Sequence, residues 1–311
     1  MSRCAGQGRG WTIELFDQAL AHGISLSCRA CGDIDALRRV MLLHGFPEGA
    51  FIWDEVMQGV ASAARCVAPN LRGYERSSAP TDVGAYRTKH LVTDIAALIE
   101  AVGAPIDLLV AHDWGGAVAW SLAAQRPELI KQLLIINSPH PATFLRALRD
   151  NPAQQTASAY MNFLCRPDAA ALLAENDFAR LWPFFTNMAG SSWLGEARRA
   201  QYRTLWQHGL QGPLNYYRAS PLRPPSSPTD AIHTVELALG AVTVNVPTTV
   251  LWGDADIALP TALLDGLDAF VSQLNVLRVA GASHWIVHEQ PTLVVDTVAR
   301  LLAVTPRRSG P

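Results

Sequence analysis

Apolar and polar positions alternate on two different periods along this chain. Val40–Leu43 is a four-residue apolar run ahead of His44-Gly45, and Arg65–Ala68 is a second strand candidate that ends at Pro69. Leu108–Ala111 and Leu133–Ile136 are two more. Short apolar runs without polar alternation suit strands buried on both faces of a parallel sheet. Between them Leu91, Ile95, Leu98, Ile99 and Val102 recur at helical spacing, with Gly103 as the stop. Gly115–Arg126 reads as a further helix, ended by Pro127. Strands and helices in alternation predict βαβ units. Ile24–Cys31 alternates as a strand would.

After Asn137 the texture changes. Pro139 and Pro141 close the strand, and residues 139–240 scatter Trp, Tyr and Phe among helix formers, which predicts an inserted helical layer. Its exit is the loop-like Ser220–Asp230, with prolines at 221, 224, 225 and 228, followed by an undefined stretch to Asn245. Thr248–Trp252 and Leu274–Val279 resume the strand pattern, Thr292–Ala303 gives a last amphipathic helix, and the tail Thr305–Pro311 reads as loose.

Composition narrows the function classes. The 311 residues are 49% hydrophobic and 17% charged, with a net charge of −2, so the chain has no broad footprint for nucleic acid and is too apolar for disorder. No run reaches the roughly 18 apolar residues of a membrane span, and Met1–Trp11 lacks the apolar centre of a signal peptide. A cytoplasmic protein is the expectation, and a homodimer stays open. The five cysteines, Cys4, Cys28, Cys31, Cys66 and Cys165, are odd in number and scattered, which suits reduced thiols. Cys28 and Cys31 form a CxxC, but residues three apart on a strand point to opposite faces. Gly6, Gly8 and Gly10 precede no strand-helix turn, so no dinucleotide fingerprint is read.

In an open parallel sheet, ligands bind at the carboxyl ends of the strands. The polar residues there are His44, His112, Asp113, Asn137, Asp254, Asp256, Ser283 and His284. Two acids and a histidine, each at a strand exit, are able to converge. Ala111-His112-Asp113-Trp114-Gly115 has the form of a nucleophile elbow, in which small neighbours let a strained turn project the nucleophile. A serine there needs a base, whereas an aspartate, with a reference pKa of about 3.9, is ionised at neutral pH. A helix N-cap is the competing role for Asp113.

These motifs, with His44-Gly45-Phe46-Pro47-Glu48, Arg72-Gly73-Tyr74 with Ser77, Leu251–Asp256 and Gly281-Ala282-Ser283-His284-Trp285, span residues 40–290. In them the chain resembles the α/β-hydrolase-fold epoxide hydrolases, with haloalkane dehalogenases as close relatives. The resemblance implies a mostly parallel central sheet flanked by helices, a core built from residues 1–138 and 241–311, and a helical cap over 139–240. It implies Asp113 as nucleophile, His284 as base for water and Asp256 as the acid that orients His284, with Asp254 left to turn or cap. The N–H groups of Phe46 and Trp114 would form the oxyanion hole, and Phe46-Pro47 is often cis in relatives. Gly212–Arg218 resembles the cap motif that places Tyr217 on the epoxide oxygen, Tyr216 pointing elsewhere. A second tyrosine is usual; Phe163 stands at its aligned position, in the substrate-binding part of the cap, and Tyr160 lies three residues earlier on the same helical face. His284 is expected mostly neutral at pH 7 from a reference pKa of about 6.5. His44 and His112 are expected to fix loops, and His288 to be structural.

The implied reaction converts a small apolar epoxide and water to a vicinal diol through an ester on Asp113, with no metal or organic cofactor. A haloalkane dehalogenase would share Asp113, His284 and Asp256 but would bind halide through Trp114 and a second N–H donor, and Tyr217 would go unexplained. A non-catalytic ligand-binding protein on this fold would be expected to have lost one of the three. Trp53, Trp182, Trp193 and Trp206, with Phe184 and Phe185, are divided between pocket lining and packing.

Overall fold

The apolar runs become the central strands of one eight-stranded sheet. In chain order the strands are β1 (Glu14–Ala19), β2 (Ser25–Cys31), β3 (Arg39–Leu43), β4 (Arg65–Pro69), β5 (Leu108–His112), β6 (Leu133–Ile136), β7 (Thr248–Gly253) and β8 (Leu274–Val279). Their order across the sheet is β1-β2-β4-β3-β5-β6-β7-β8. From β4 to β8 every pairing is parallel, while β1 and β2 join antiparallel at one edge. The computed structural model describes residues 11–188 and 191–303. Cys4, the early glycines and the tail Thr305–Pro311 lie outside the described residues.

Alternation along each strand divides the core into two layers. Met41, Leu43, Leu109, Ala111, Leu133 and Ile135 face one side, and Val40, Leu42, Leu108, Val110, Leu134 and Ile136 the other. Helices α1 (Asp54–Val60), α2 (Thr88–Val102) and α3 (Trp114–Gln125) cover the sheet, α2 stopping at Gly103 in the left-handed region. Cys28 belongs to the first layer and Cys31 to the second, so this CxxC presents no common face. Burial pushes the Cys28 and Cys66 thiols up to about 12.

Between β6 and β7 the described residues build eight helices: α4 (Pro141–Asp150), α5 (Pro152–Ala157), α6 (Tyr160–Leu164), α7 (Ala169–Phe178), α8 (Trp182–Thr186), α9 (Glu196–Gln207), α10 (Gln211–Ala219) and α11 (Leu239–Val242). The stretch to Asn245 that has no sequence pattern thus contains α11 and a short 3₁₀ turn, Ala231–Thr234. Leu173, Phe185, Tyr202, Trp206 and Leu214 bury together in this layer, with Phe46 and Trp285 reaching up from the sheet side. Polar clasps tie it down, three of them between rings and backbone carbonyls. Trp206 Nε1 donates to Pro47 O at 2.7 Å, Trp285 Nε1 to Phe184 O at 3.0 Å, and Tyr216 Oη to Arg72 O at 2.8 Å. Tyr216 packs against Tyr74, Tyr86 and Trp114 and lines neither cavity at the strand ends. The chain then returns through β7 and β8 to α12 (Ile286–Glu289) and α13 (Pro291–Ala303). No helix among the described residues is long and apolar enough to cross a membrane.

Candidate active site

Asp113 stands at the turn between β5 and α3 with φ 50° and ψ −122°, a conformation a non-glycine residue adopts only under strain. Its side chain caps no helix N–H. Oδ1 instead accepts from Phe46 N at 2.7 Å. The loop after β3 reaches this close because residue 45 is glycine: a Cβ there would sit 2.1 Å from Asp113 Oδ1. A Cβ on Gly115 would meet the carbonyl oxygens of Leu43 and His44 at 2.6 Å. The small residues of both motifs thus exist to bring two strand exits together. Phe46-Pro47 is cis.

His284 arrives from the loop after β8. Its Nε2 lies 3.8 Å from Asp113 Oδ2, and its Nδ1 lies 2.7 Å from Asp256 Oδ2. Asp256, wholly enclosed, is fully occupied: Oδ1 accepts from Ala258 N and Leu259 N, each at 2.9 Å, and Oδ2 also accepts from Asn137 Nδ2 at 2.8 Å. Asn137 Oδ1 in turn accepts from Gly253 N at 2.9 Å. Asn137, which has no charge of its own to offer, thereby fixes the acid across the β6–β7 pair. Asp254 is turned away and pairs with Arg278 at 2.9 Å.

The charge state of His284 departs from expectation. Burial would depress the imidazole, but Asp256, by charge and hydrogen bond, and then Asp113 outweigh it and raise the pKa to about 9. The resting group at pH 7 is an imidazolium between two carboxylates, where the reference value predicts a neutral ring.

His44 and His112 both act on loop geometry. His44 accepts from Leu71 N at 3.0 Å and donates to Gly45 O at 2.9 Å, and burial holds its pKa down at about 4. His112 Nε2 lies 2.9 Å from His284 O, and its Nδ1 lies 3.2 Å from Glu48 Oε2. Glu48, which closes the His44–Glu48 motif, is the hub of a network whose partners no motif announces. Its Oε1 accepts from Tyr202 Oη at 2.6 Å and lies 2.7 Å from His288 Nε2. Burial favours the neutral acid, yet His288 and His112 outweigh it and hold the carboxyl well below its usual range.

Two phenols face Asp113 from the helical layer. Tyr217 and Tyr160 lie 6.2 Å apart between ring centroids, and burial raises the pKa of both, Tyr217 well above 10. The Trp114 indole stands edge-on to Tyr217, with ring centroids 5.1 Å apart. Phe163, read as a substrate contact, lines neither cavity beside Asp113; the Arg166 guanidinium lies over its ring at 5.9 Å. Tyr160 occupies the place beside Tyr217 instead.

Asp113, Tyr160 and Tyr217 line two adjoining cavities. One, of about 100 Å³, runs past Trp114, Ser138 and Phe144. The other, of about 390 Å³, runs past Phe46, Phe184, His284 and Trp285. Of the aromatics divided between lining and packing, Phe184 lines; Trp53, Phe185 and Trp206 are packing.

Known proteins resemble this chain over most of its length. Residues 38–291 match the family described as alpha/beta hydrolase fold. Epoxide hydrolase 4 of Mus musculus is 31% identical over 278 residues, covering 86% of this chain and 74% of that protein. An AB hydrolase superfamily protein of Bacillus subtilis is 33% identical over 285 residues, covering 90% and 95%. Among solved structures, a Bacillus megaterium epoxide hydrolase in complex with an inhibitor superposes with a TM-score of 0.84 at 29% identity, covering 93% of this chain and all of that one.

Proposed function

The chain belongs to the α/β-hydrolase-fold epoxide hydrolase family, and from that premise we propose that it opens an apolar epoxide to a vicinal diol through an ester on Asp113. The observation that carries this reading is a carboxylate facing two phenols across shared cavities, with a histidine behind it. Residues 139–240 act as the cap that brings those phenols.

Phe46 N holds Oδ1, so Oδ2 is the attacking oxygen. It forms a bond to one epoxide carbon while the C–O bond breaks, and the electron pair on the ring oxygen takes the proton of Tyr217, with Tyr160 as second donor. Two aligned phenols supply a proton that an alkoxide leaving group needs. The phenolate recovers a proton from the His284 imidazolium. That transfer is favoured by the first step itself, because esterification removes the Asp113 charge that helped raise the His284 pKa. Neutral His284 then takes a proton from water as its oxygen attacks the ester carbonyl. The oxyanion sits on Oδ1, facing the N–H groups of Phe46 and Trp114. Collapse expels the diol oxygen as an alkoxide, which takes the remaining proton of the attacking water from the new Asp113 carboxyl, leaving Asp113 a carboxylate and His284 an imidazolium as at rest. No metal or organic cofactor enters this scheme.

A dehalogenase would need the Trp114 indole N–H free for halide and a second donor beside it. The hydrocarbon side chain of Phe46, and the Tyr217 phenol packed edge-on against both Trp114 and Phe46, favour the epoxide reading. Intact-protein mass of the His284→Gln variant tests it. Exposed to styrene oxide, the variant gains the whole epoxide mass, and exposed to a haloalkane panel it gains nothing. A dehalogenated alkyl adduct, or a folded variant without adduct whose wild type is inactive on every epoxide, overturns the proposal.

A further inference from the structure

The reacting centre sits where two spaces of unequal size and chemistry meet. A cavity of about 150 Å³ is enough to hold benzene. The space of about 390 Å³ therefore takes an aromatic ring with a substituent, and the space of about 100 Å³ does not take a ring at all. Phe46, Phe184 and Trp285 give the larger one aromatic walls. Beside the two phenols, Thr88 and three serines, Ser121, Ser138 and Ser220, give the smaller one hydroxyls.

The existing bonds of the serine hydroxyls define what they have left. Ser138 Oγ donates to Asp113 O at 2.6 Å and Ser121 Oγ to Ala117 O at 3.2 Å, so each keeps lone pairs to accept. Ser220 Oγ accepts from Leu222 N at 3.1 Å and keeps its proton to donate. A hydroxyl entering the smaller space finds both a donor and acceptors there. In the larger space Asn187 is, among the described residues, the one polar side chain apart from the reacting groups, and against Phe46, Phe184 and Trp285 the same group would lose its water contacts with little in return.

An epoxide held between Asp113 and the two phenols has one carbon toward each space. Building on the epoxide reading above, the geometry points to a narrower substrate class: internal epoxides with an aromatic or branched apolar group on one carbon and a short hydroxyl-bearing chain, such as hydroxymethyl, on the other. The bulky group lies between Phe46, Phe184 and Trp285, and the hydroxyl reaches Ser220.

Steady-state turnover of four epoxides by the intact chain tests this: styrene oxide, trans-2-methyl-3-phenyloxirane, trans-3-phenylglycidol and trans-stilbene oxide. The expected kcat/KM for the phenylglycidol exceeds that for its methyl analogue by about 3- to 10-fold, the size of one net hydrogen bond. Stilbene oxide falls below both by about 100-fold or more, since its second ring has no space. Ser220→Ala brings the glycidol-to-methyl ratio close to one, and Phe144→Ala, which enlarges the smaller space, raises stilbene oxide turnover. Stilbene oxide handled as well as the methyl compound overturns the assignment, as does a wild-type ratio near one. Turnover of styrene oxide alone refutes this inference and leaves the ester mechanism standing. Failure of all four, with no adduct on His284→Gln, refutes both.

Discussion

Replacing Asp256 by Asn removes the charge that does most to hold a proton on His284, while keeping the volume of the side chain. In the native protein Asp256 and Asp113 lift His284 from a reference of 6.5 to about 9 against burial. That difference of about 2.5 units corresponds to about 3 kcal/mol of linked stability. The pKa is raised on folding, so this stabilisation is fully present below pH 6.5 and is lost as pH rises through 9. Urea unfolding of the wild type should therefore show stability falling by up to about 3 kcal/mol between pH 6.5 and 9.5. In Asp256→Asn, burial dominates and the imidazole titrates below 6.5, so that component of the slope disappears. The difference between the two pH profiles isolates His284 from every other group that titrates in this window. An NMR titration of the His284 ring gives the same answer directly. Identical slopes for the two proteins, or a wild-type ring that titrates near 6.5, would refute the account of an imidazolium held between two carboxylates. The variant also separates the half-reactions. It should still form the Asp113 ester but lose water activation by about 10⁴-fold, as an orienting acid does in other triads.

Other consequences are as direct. Tyr217→Phe should slow ester formation by about 100-fold and leave ester hydrolysis within about threefold, Tyr160→Phe should do less, and the double variant should be slower than either in a single-turnover burst. Gly45→Ala should abolish turnover in a folded protein, since its Cβ would fall 2.1 Å from Asp113 Oδ1; full activity would sink the close-approach argument. Glu48→Ala leaves His112, His288 and Tyr202 without their shared partner, and should cost about 3 kcal/mol in denaturant unfolding. Native protein treated with Ellman's reagent should show Cys28 and Cys66 unreactive, their thiols being buried and held near 12.

The central parallel strands were legible because burial on both faces leaves mostly apolar side chains in four- to six-residue runs. β1 was not, because at the sheet edge its residues are mostly exposed and Glu14, Asp17 and Gln18 carry no strand signal. Asp113, Asp256 and His284 announced themselves by standing at strand exits. Asn137 stood there too, yet its use depends on a partner 119 positions away in sequence, which no local pattern encodes. The role of Glu48 is hidden for the same reason, its contact with His288 spanning 240 positions. Tyr160 illustrates a different limit: alignment counts positions along the chain, whereas the fold selects by helical face, and three residues is nearly one turn. The charge on His284 was out of reach because it is a property of three enclosed groups together.

β6 and β7 are neighbours and run in the same direction, so the chain leaving Ile136 at one end of the sheet has to travel back before it can enter Thr248 at the other. A crossover is obligatory there, whatever the protein does. The eight helices from α4 to α11 are an enlargement of a connection the topology demands in any case. Lengthening a tether costs only logarithmically, so such a segment is free to grow or be exchanged while every strand keeps its register. Asp113 and His284, the proposed nucleophile and base, follow strands of the sheet, and the two phenols ride on the replaceable connection. Descendants of this architecture are thereby able to change which bond is broken by rewriting a connection, with the machinery beneath it untouched.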